Sequence, residues 1–342
     1  MKRVAKLFNQ VIDRENLRLA VSRALRGKRH RPDAREFVCD LDRNIQRMQQ
    51  QLLADSFPLG RFHQFEICEP KRRIITAPCF PERVVHHALV NVCEPVFERW
   101  LIDDTFACRP GKGRVTALRR ALSFARRHAF FLKLDIRKYF DSVPHDRLLA
   151  RLQRLFKDQR LLQLFARIIG SFRGEAGRGL PIGSLTSQHF ANFYLGWFDR
   201  QAKDHWRIPG YVRYMDDMLL CSDSKQQLMT CLQDGRDFLR EQLRLELKPT
   251  PYVNRTAHGV DFLGCRVSPK GLTLNRRSRV RFRRRLVELE EQFRAGHLDE
   301  LTLQQRATAL VAFTKSAGAA SWQFRDRVVQ QLLVSGQEAR TG

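Results

Sequence analysis

Several signatures that would place a chain quickly are missing from this one. None of its eight cysteines, at positions 39, 68, 79, 93, 108, 221, 231 and 265, stands in a C-x-x-C pair, which speaks against a zinc ribbon and fits reduced thiols in a cytosolic protein. No run approaches the roughly eighteen apolar residues that a membrane span requires. The basic start, Met1-Lys2-Arg3-Val4-Ala5-Lys6, leads into no apolar core or cleavage site, and no lipidation signal is present. Fixed-period repeats and low-complexity segments are absent. The Gly-rich stretch Cys108-Arg109-Pro110-Gly111-Lys112-Gly113-Arg114 lacks P-loop spacing, although N–H groups at the helix start it opens can still hold a phosphate. Acidic residues are scarce: 36 Asp+Glu against 62 Lys+Arg leave a net charge of +26. That charge implies a polyanionic partner, nucleic acid before an anionic membrane surface. Together these absences give a cytoplasmic protein with no membrane partner as the expectation.

What is present describes a folded chain of 342 residues, 43% hydrophobic and 29% charged, enough for two or three subdomains around a sizeable core. Residues 1–60 follow a helical period, with a basic loop, Arg26-Gly27-Lys28-Arg29-His30-Arg31-Pro32, that is either a solvated connector or a contact for nucleic-acid backbone. Phe65 and Ile67, then Arg73-Ile74-Ile75-Thr76, read as a hairpin around Glu69-Pro70-Lys71-Arg72. A helix is predicted over 81–97, ended by the Glu94-Pro95 step. Residues 130–136 form the clearest buried strand, ending on Asp135. Helices follow over 147–156, 161–169 and 186–203, then a hairpin near 216, a helix over 225–243, and strands around 245–247 and 260–264. Beyond Asn275 the pattern is helical and strongly basic, including Arg281, Arg284 and Arg285.

The chain is organised around Arg213-Tyr214-Met215-Asp216-Asp217-Met218-Leu219-Leu220. Two adjacent carboxylates sit in the turn between apolar runs, where like charges resist desolvation unless a cation offsets them. A solvated acidic turn would need no cation. Asp135, ending a separate buried strand, supplies a third carboxylate. Oxygen ligands from two neighbouring strands are what a pair of Mg2+ ions roughly 4 Å apart needs to clamp attacking and leaving oxygens in nucleotidyl transfer.

These residues carry a family resemblance. Leu132-Lys133-Leu134-Asp135-Ile136-Arg137-Lys138-Tyr139-Phe140-Asp141 resembles the first palm motif of reverse transcriptases, and Tyr214-Met215-Asp216-Asp217 resembles their Y-x-D-D box; the ordered motifs run from about 62 to 273. The resemblance implies an α+β right-hand polymerase. An N-terminal helical extension (1–60) precedes fingers (61–125, with 150–185 contributing). An antiparallel palm sheet on helices (126–272) and a basic helical thumb (273–342) follow. It also implies RNA-directed DNA synthesis on template RNA with nascent cDNA, from dNTPs, with two Mg2+ ions that Mn2+ can replace. Asp135, Asp216 and Asp217 would be metal ligands with the Ile136 carbonyl nearby. Lys71, Arg73, Phe140, Ile182, Gln188 and Lys248 would meet the nucleotide, with a core Phe the plain alternative for Phe140. Tyr214, Met215 and the primer-gripping Phe262-Leu263-Gly264 would meet primer or template, with Arg109, Lys112 and the thumb arginines.

Leu180-Pro181-Ile182-Gly183-Ser184-Leu185-Thr186-Ser187-Gln188 narrows the resemblance. Ile182 stands where most relatives have Gln, and the I-G-x-x-x-S-Q form resembles the enzymes of diversity-generating retroelements, as does Glu82-Arg83-Val84-Val85-His86-His87. That subgroup implies low fidelity, mutagenic retrohoming from a template-repeat RNA, and a small helical accessory protein. A Gln there could align the base pair by hydrogen bonding; Ile cannot. Retron or antiphage enzymes are the nearest alternative, and a non-catalytic RNA-binding scaffold the alternative of another class. The length leaves no room for an appended endonuclease, so a splicing maturase is a weaker expectation.

Overall fold

The computed structural model describes residues 2–68, 72–172, 174, 177–315, 317 and 322–330. Its first helices are α1 (Phe8–Val11), α2 (Arg14–Ala24), α3 (Pro32–Cys39) and α4 (Leu41–Leu53). The Asp13 carboxylate caps α2, accepting from the N–H groups of Glu15 and Asn16 at 3.0 and 3.3 Å. Strands β1 (Phe62–Ile67) and β2 (Arg73–Pro78) form the expected antiparallel hairpin, with Phe62 opposite Pro78. Helix α5 (Phe80–Trp100) follows, and here the expectation fails: the helix runs through Pro95. Proline removes one intrahelical hydrogen bond, but Val96, Phe97 and Trp100 beyond it are all buried, and their packing keeps the last turn wound.

The central sheet and its helices are built next. Helix α6 (Arg114–Arg127) leads into β3 (Phe130–Asp135), then α7 (Tyr139–Ser142), α8 (His145–Leu152), α9 (Gln159–Gly170) and α10 (Leu185–Arg200). Strands β4 (Gly210–Tyr214) and β5 (Asp217–Ser222), helix α11 (Lys225–Leu243) and strand β6 (Tyr252–Arg255) complete the sheet. Its order is β4-β5-β3-β6, antiparallel throughout. The expected strand at 245–247 makes only the bridge Ile136↔Leu247, and the fourth strand lies later, at β6. Pro249 and Pro251 stand between the two and cannot donate to a ladder.

Side-chain alternation along the strands divides the core into two layers. Leu132, Leu134, Met218, Leu220 and Tyr211 point into the larger layer with α5, α8, α9, α10 and α11. Phe131, Val212, Leu219 and Cys221 point the other way, onto α6 and a second sheet made of β7 (Val260–Phe262), β8 (Cys265–Ser268) and β9 (Gly271–Leu274). Helix α6, at the fingers boundary in the sequence division, packs directly on both sheets. The basic region begins with α12 (Arg276–Arg294), capped by Asn275, which accepts from Ser278 N–H at 2.9 Å. It packs on α13 (Glu300–Lys315). The last described segment, 322–330, is helical; the rest of the thumb range lies outside the described residues.

Candidate active site

Strand register brings the acidic residues together. Asp135 ends β3 directly opposite Asp217, which opens β5, and Asp217 in turn faces Tyr214 across the β4–β5 hairpin. The hairpin loop is only Met215-Asp216, with Met215 at φ 56°. A side chain with a Cβ is strained in that region and needs support from its surroundings.

The support comes from Arg213. Alternation sends its side chain to the helical layer, where it is wholly buried. It forks onto Asp199 of α10 with two 2.6 Å hydrogen bonds, from Nε to Oδ1 and from Nη2 to Oδ2. It also donates to Asn192 Oδ1 at 2.9 Å, to the Asn192 carbonyl at 3.0 Å and to the Met215 carbonyl at 3.0 Å. Tyr211 and Thr105 donate to the same Asp199 carboxylate at 2.6 and 2.9 Å. Burial works against the Arg213 charge, but Asp199 outweighs it and holds the guanidinium above the usual arginine range. No sequence motif pointed to this network. The one available signal was a lone Asp at the end of the otherwise apolar run Phe193-Tyr194-Leu195-Gly196-Trp197-Phe198.

Charge on the other face is arranged differently. Burial, then the charge of Asp135, raises the pKa of Asp216. Lys248, two residues beyond Glu246, pairs with the Asp135 carboxylate, and its N–H donates to the Asp135 carbonyl at 2.8 Å. Lys133, on β3 two residues before Asp135, pairs with Asp217 and lies 4.9 Å from the Phe262 ring centroid. Burial pushes its ammonium down to about 7, although Asp135 and Asp216 pull the other way. Lys133 was quoted within a motif but given no role from sequence; its K-x-D spacing to Asp135, which puts both on one strand face, was the missed signal.

Among the described residues no three His, Cys, Asp or Glu side chains are grouped closely enough to hold a metal ion by themselves. The donor set nevertheless fits hard divalent cations. Asp135 Oδ1 is buried and has no hydrogen-bond partner, and carboxylate oxygens from two neighbouring strands suit Mg2+. The ladder beside Ile136 uses the Arg137 N–H and the Asp135 carbonyl, which leaves the Ile136 carbonyl out of that pairing. Asp135, Asp216 and Asp217 would hold the metal, with Lys133 and Lys248 as counter-charges in its place.

The remaining candidates divide. Half-buried Phe140 packs edge-on against Tyr139, and its carbonyl accepts from Leu180 N–H at 2.8 Å. The Ile182 carbonyl accepts from Thr76 N–H at 2.7 Å, so this loop lies against β2. Gly183 has φ +122°, and a Cβ there would come within 2.7 Å of Ile75 Cγ2; glycine is required for that approach. Gln188 Oε1 accepts from Cys108 Sγ at 3.5 Å. Tyr214 and Met215 are half-buried at the turn. Phe262 and Cys265 pair across the two-residue turn Leu263-Gly264, whose φ values of 48° and 81° are both positive; Arg114 Nε donates to the Leu263 carbonyl at 2.8 Å. Arg73 is exposed on β2, and Lys71 lies outside the described residues.

Two basic candidates are turned inward. Arg109 is spent on Glu98 at 2.9 Å and on the Thr105 carbonyl at 2.9 Å, a structural clamp closed to template. Lys112 reaches the Asp103 carbonyl and lies 5.4 Å from the Phe106 ring centroid. On α12, Arg284 and Arg285 flank Glu288 at 3.4 and 3.7 Å, while Arg281 faces a groove shared with Phe313 of α13.

The family described as Reverse transcriptase (RNA-dependent DNA polymerase) matches residues 68–267. The Escherichia coli (strain K12) protein YkfC is 25% identical over 248 residues, covering 58% of this chain and 64% of that protein. The group II intron-encoded protein LtrA of Lactococcus lactis subsp. cremoris is 26% identical over 152 residues, covering 42% and 25%. An uncharacterized 91 kDa protein in the cob intron of Schizosaccharomyces pombe is 29% identical over 150 residues, covering 42% and 19%. The chain thus spans 19–64% of the length of these relatives. Among solved structures, Candida tropicalis telomerase matches with a TM-score of 0.44 and 10% identity, over 78% of this chain and 54% of that one.

Proposed function

Since the chain belongs to the reverse transcriptase (RNA-dependent DNA polymerase) family, we propose that it is an RNA-directed DNA polymerase whose chemistry takes place at Asp135, Asp216 and Asp217. The observation that carries this reading is the register Asp135↔Asp217 beside the Met215-Asp216 turn, with a buried Asp135 oxygen that no protein group satisfies. Bound divalent cations would supply an acidified primer hydroxyl and neutralise charge on the triphosphate. The chain's own residues do the rest. The buried Arg213 fork fixes the turn that presents Asp216. Phe140 and the Ile182–Ser184 loop border the place of the nucleotide sugar and base. The Leu263-Gly264 turn, held by Arg114, meets the primer end. The basic α12 face, including Arg281, Arg284 and Arg285, follows the backbone of the template RNA and nascent cDNA.

Primer extension with Mg2+ and dNTPs on an RNA template tests the assignment. Asp216→Ala with Asp217→Ala should abolish incorporation, and incorporation surviving that double change would overturn it.

Within the family we assign the chain to the diversity-generating type, making error-prone cDNA from a template-repeat RNA, with a small helical accessory protein as partner, in the cytoplasm. The supporting feature is Ile182, an apolar side chain in a loop seated on β2 by the Thr76 hydrogen bond. Without a polar group there, right and wrong pairs differ less in transition-state stabilisation. Ile182→Gln is expected to lower misincorporation on a defined RNA template about threefold to tenfold; unchanged error rates would count against the subgroup.

A further inference from the structure

A second polar cluster lies outside the carboxylate site and is buried more deeply. Glu82 and His86 stand one turn apart on α5 and are 0% and 1% exposed. Glu82 Oε2 accepts from the N–H groups of Gly60 and Arg61, at 2.9 and 3.1 Å, just before β1. Its other oxygen, Oε1, has no hydrogen-bond partner, and neither has His86 Nε2. The two are 3.6 Å apart, too far for a hydrogen bond and close enough to share a third group. On its other side, His86 Nδ1 lies 2.9 Å from Ser184 Oγ, which lies 3.1 Å from Thr186 Oγ1.

Glu82 and His86 both line a small cavity of about 10 Å3, which Phe62, Ile168, Ser184 and Phe190 also line. That volume suffices for one water, and buried polar groups of this kind are ordinarily satisfied by one. We propose that a single buried water bridges Glu82 Oε1 and His86 Nε2. The chain Glu82–water–His86–Ser184 would then position the Ile182–Ser184 loop beside the incoming nucleotide. The positioning half rests on the reading of Ile182 as a nucleotide neighbour.

The geometry says why such a chain would matter. The Ile182 loop is tied to β2 at the Thr76 N–H, while Glu82 holds the backbone entering β1. The relay joins these two ends beneath the hairpin, so the loop and the hairpin that flank one nucleotide move together. In the wild type, Ser184 Oγ–H donates to His86 Nδ1, His86 Nε2–H donates to the water, and the water donates to the Glu82 carboxylate. Burial keeps the imidazole neutral, with a pKa lowered to about 3. Glu82→Gln keeps the chain but reverses it. The amide accepts from Gly60 and Arg61 and donates to the water, the water donates to Nε2, and Nδ1–H donates to Ser184.

The reversal gives a readout independent of catalysis. Nitrogen-15 NMR of imidazole-labelled full-length protein is recorded at pH 8, above the value of about 7 to which burial raises Glu82. The His86 proton should be on Nε2 in the wild type and on Nδ1 in Glu82→Gln. The same tautomer in both proteins would overturn the relay, whether or not the chain polymerises. The second arm measures KM for dNTP. Ser184→Ala and His86→Phe, checked for folding by circular dichroism, should raise KM about fivefold to tenfold with kcat changed less than about twofold. A tautomer switch with unchanged KM in the folded variants would overturn the positioning role. A chain that makes no DNA at all would sink the polymerase reading while the tautomer result still decides the relay.

Discussion

The two faces of one hairpin treat charge in opposite ways. Behind the Met215-Asp216 turn, Arg213 and Asp199 are both fully buried, and Asp199 is matched by Arg213, Tyr211 and Thr105. In front of it, three carboxylates crowd together, Asp135 keeps a buried oxygen unmatched, and two lysines each pair with one carboxylate. Saturation behind means that nothing further is to be bound there, and the pair can serve only to hold the turn. Incomplete pairing in front leaves oxygen ligands that a cation can claim by displacing an ammonium. The strained Met215 backbone joins the two faces, because its carbonyl is the acceptor through which the rear network acts on the front.

Breaking the rear pair should have the largest effect. Arg213→Met leaves Asp199 as a buried charge without its partner, which costs about 3–5 kcal/mol. Denaturant unfolding should show that loss, together with loss of primer extension. Adding Asp199→Leu removes the stranded charge as well, and should restore more than half of the stability while leaving polymerisation low, since the Met215 carbonyl still lacks its donor. Full recovery of activity in the double variant would show that the turn needs no support from Arg213.

The same contrast explains what could be read from the sequence. The carboxylates were legible because they stand at the ends of apolar strands or in the turn between them, within ordered motifs, and the register puts Asp135 opposite Asp217. The hairpin of β1 and β2, helix α11 and the basic α12 were legible for the same reason: local periodicity determines them. The rear network was not, because Asn192, Asp199 and Arg213 come together only through the packing of α10 on the sheet. Arg109 was misjudged on similar grounds, since a basic loop looks solvated until Glu98 and the Thr105 carbonyl are seen to enclose its guanidinium. Pro95 and the 245–247 segment show the converse, in which tertiary packing or a missing N–H overrode a local signal.

The smallest effect, and the one that tests the front face most directly, is on stability and not on rate. Asp216 has a pKa raised from the usual 3.8 by burial and by Asp135. The folded state therefore holds that proton to a higher pH than the unfolded chain does. Stability from this group is complete below 3.8 and is lost as pH rises through the folded value. At neutral pH without divalent cation the carboxylate is a burden on the fold, and Asp216→Asn should raise Tm by roughly 1–3 °C while abolishing polymerisation. Adding Mg2+ should raise the wild-type Tm with the logarithm of its concentration. The variant should respond less, because one ligand oxygen has become an amide. Tm measured across a Mg2+ titration at pH 7 and pH 5 gives both results. A wild-type Tm indifferent to Mg2+ would mean that Lys133 and Lys248 are permanent partners of the acids, and would make the front face as closed as the rear.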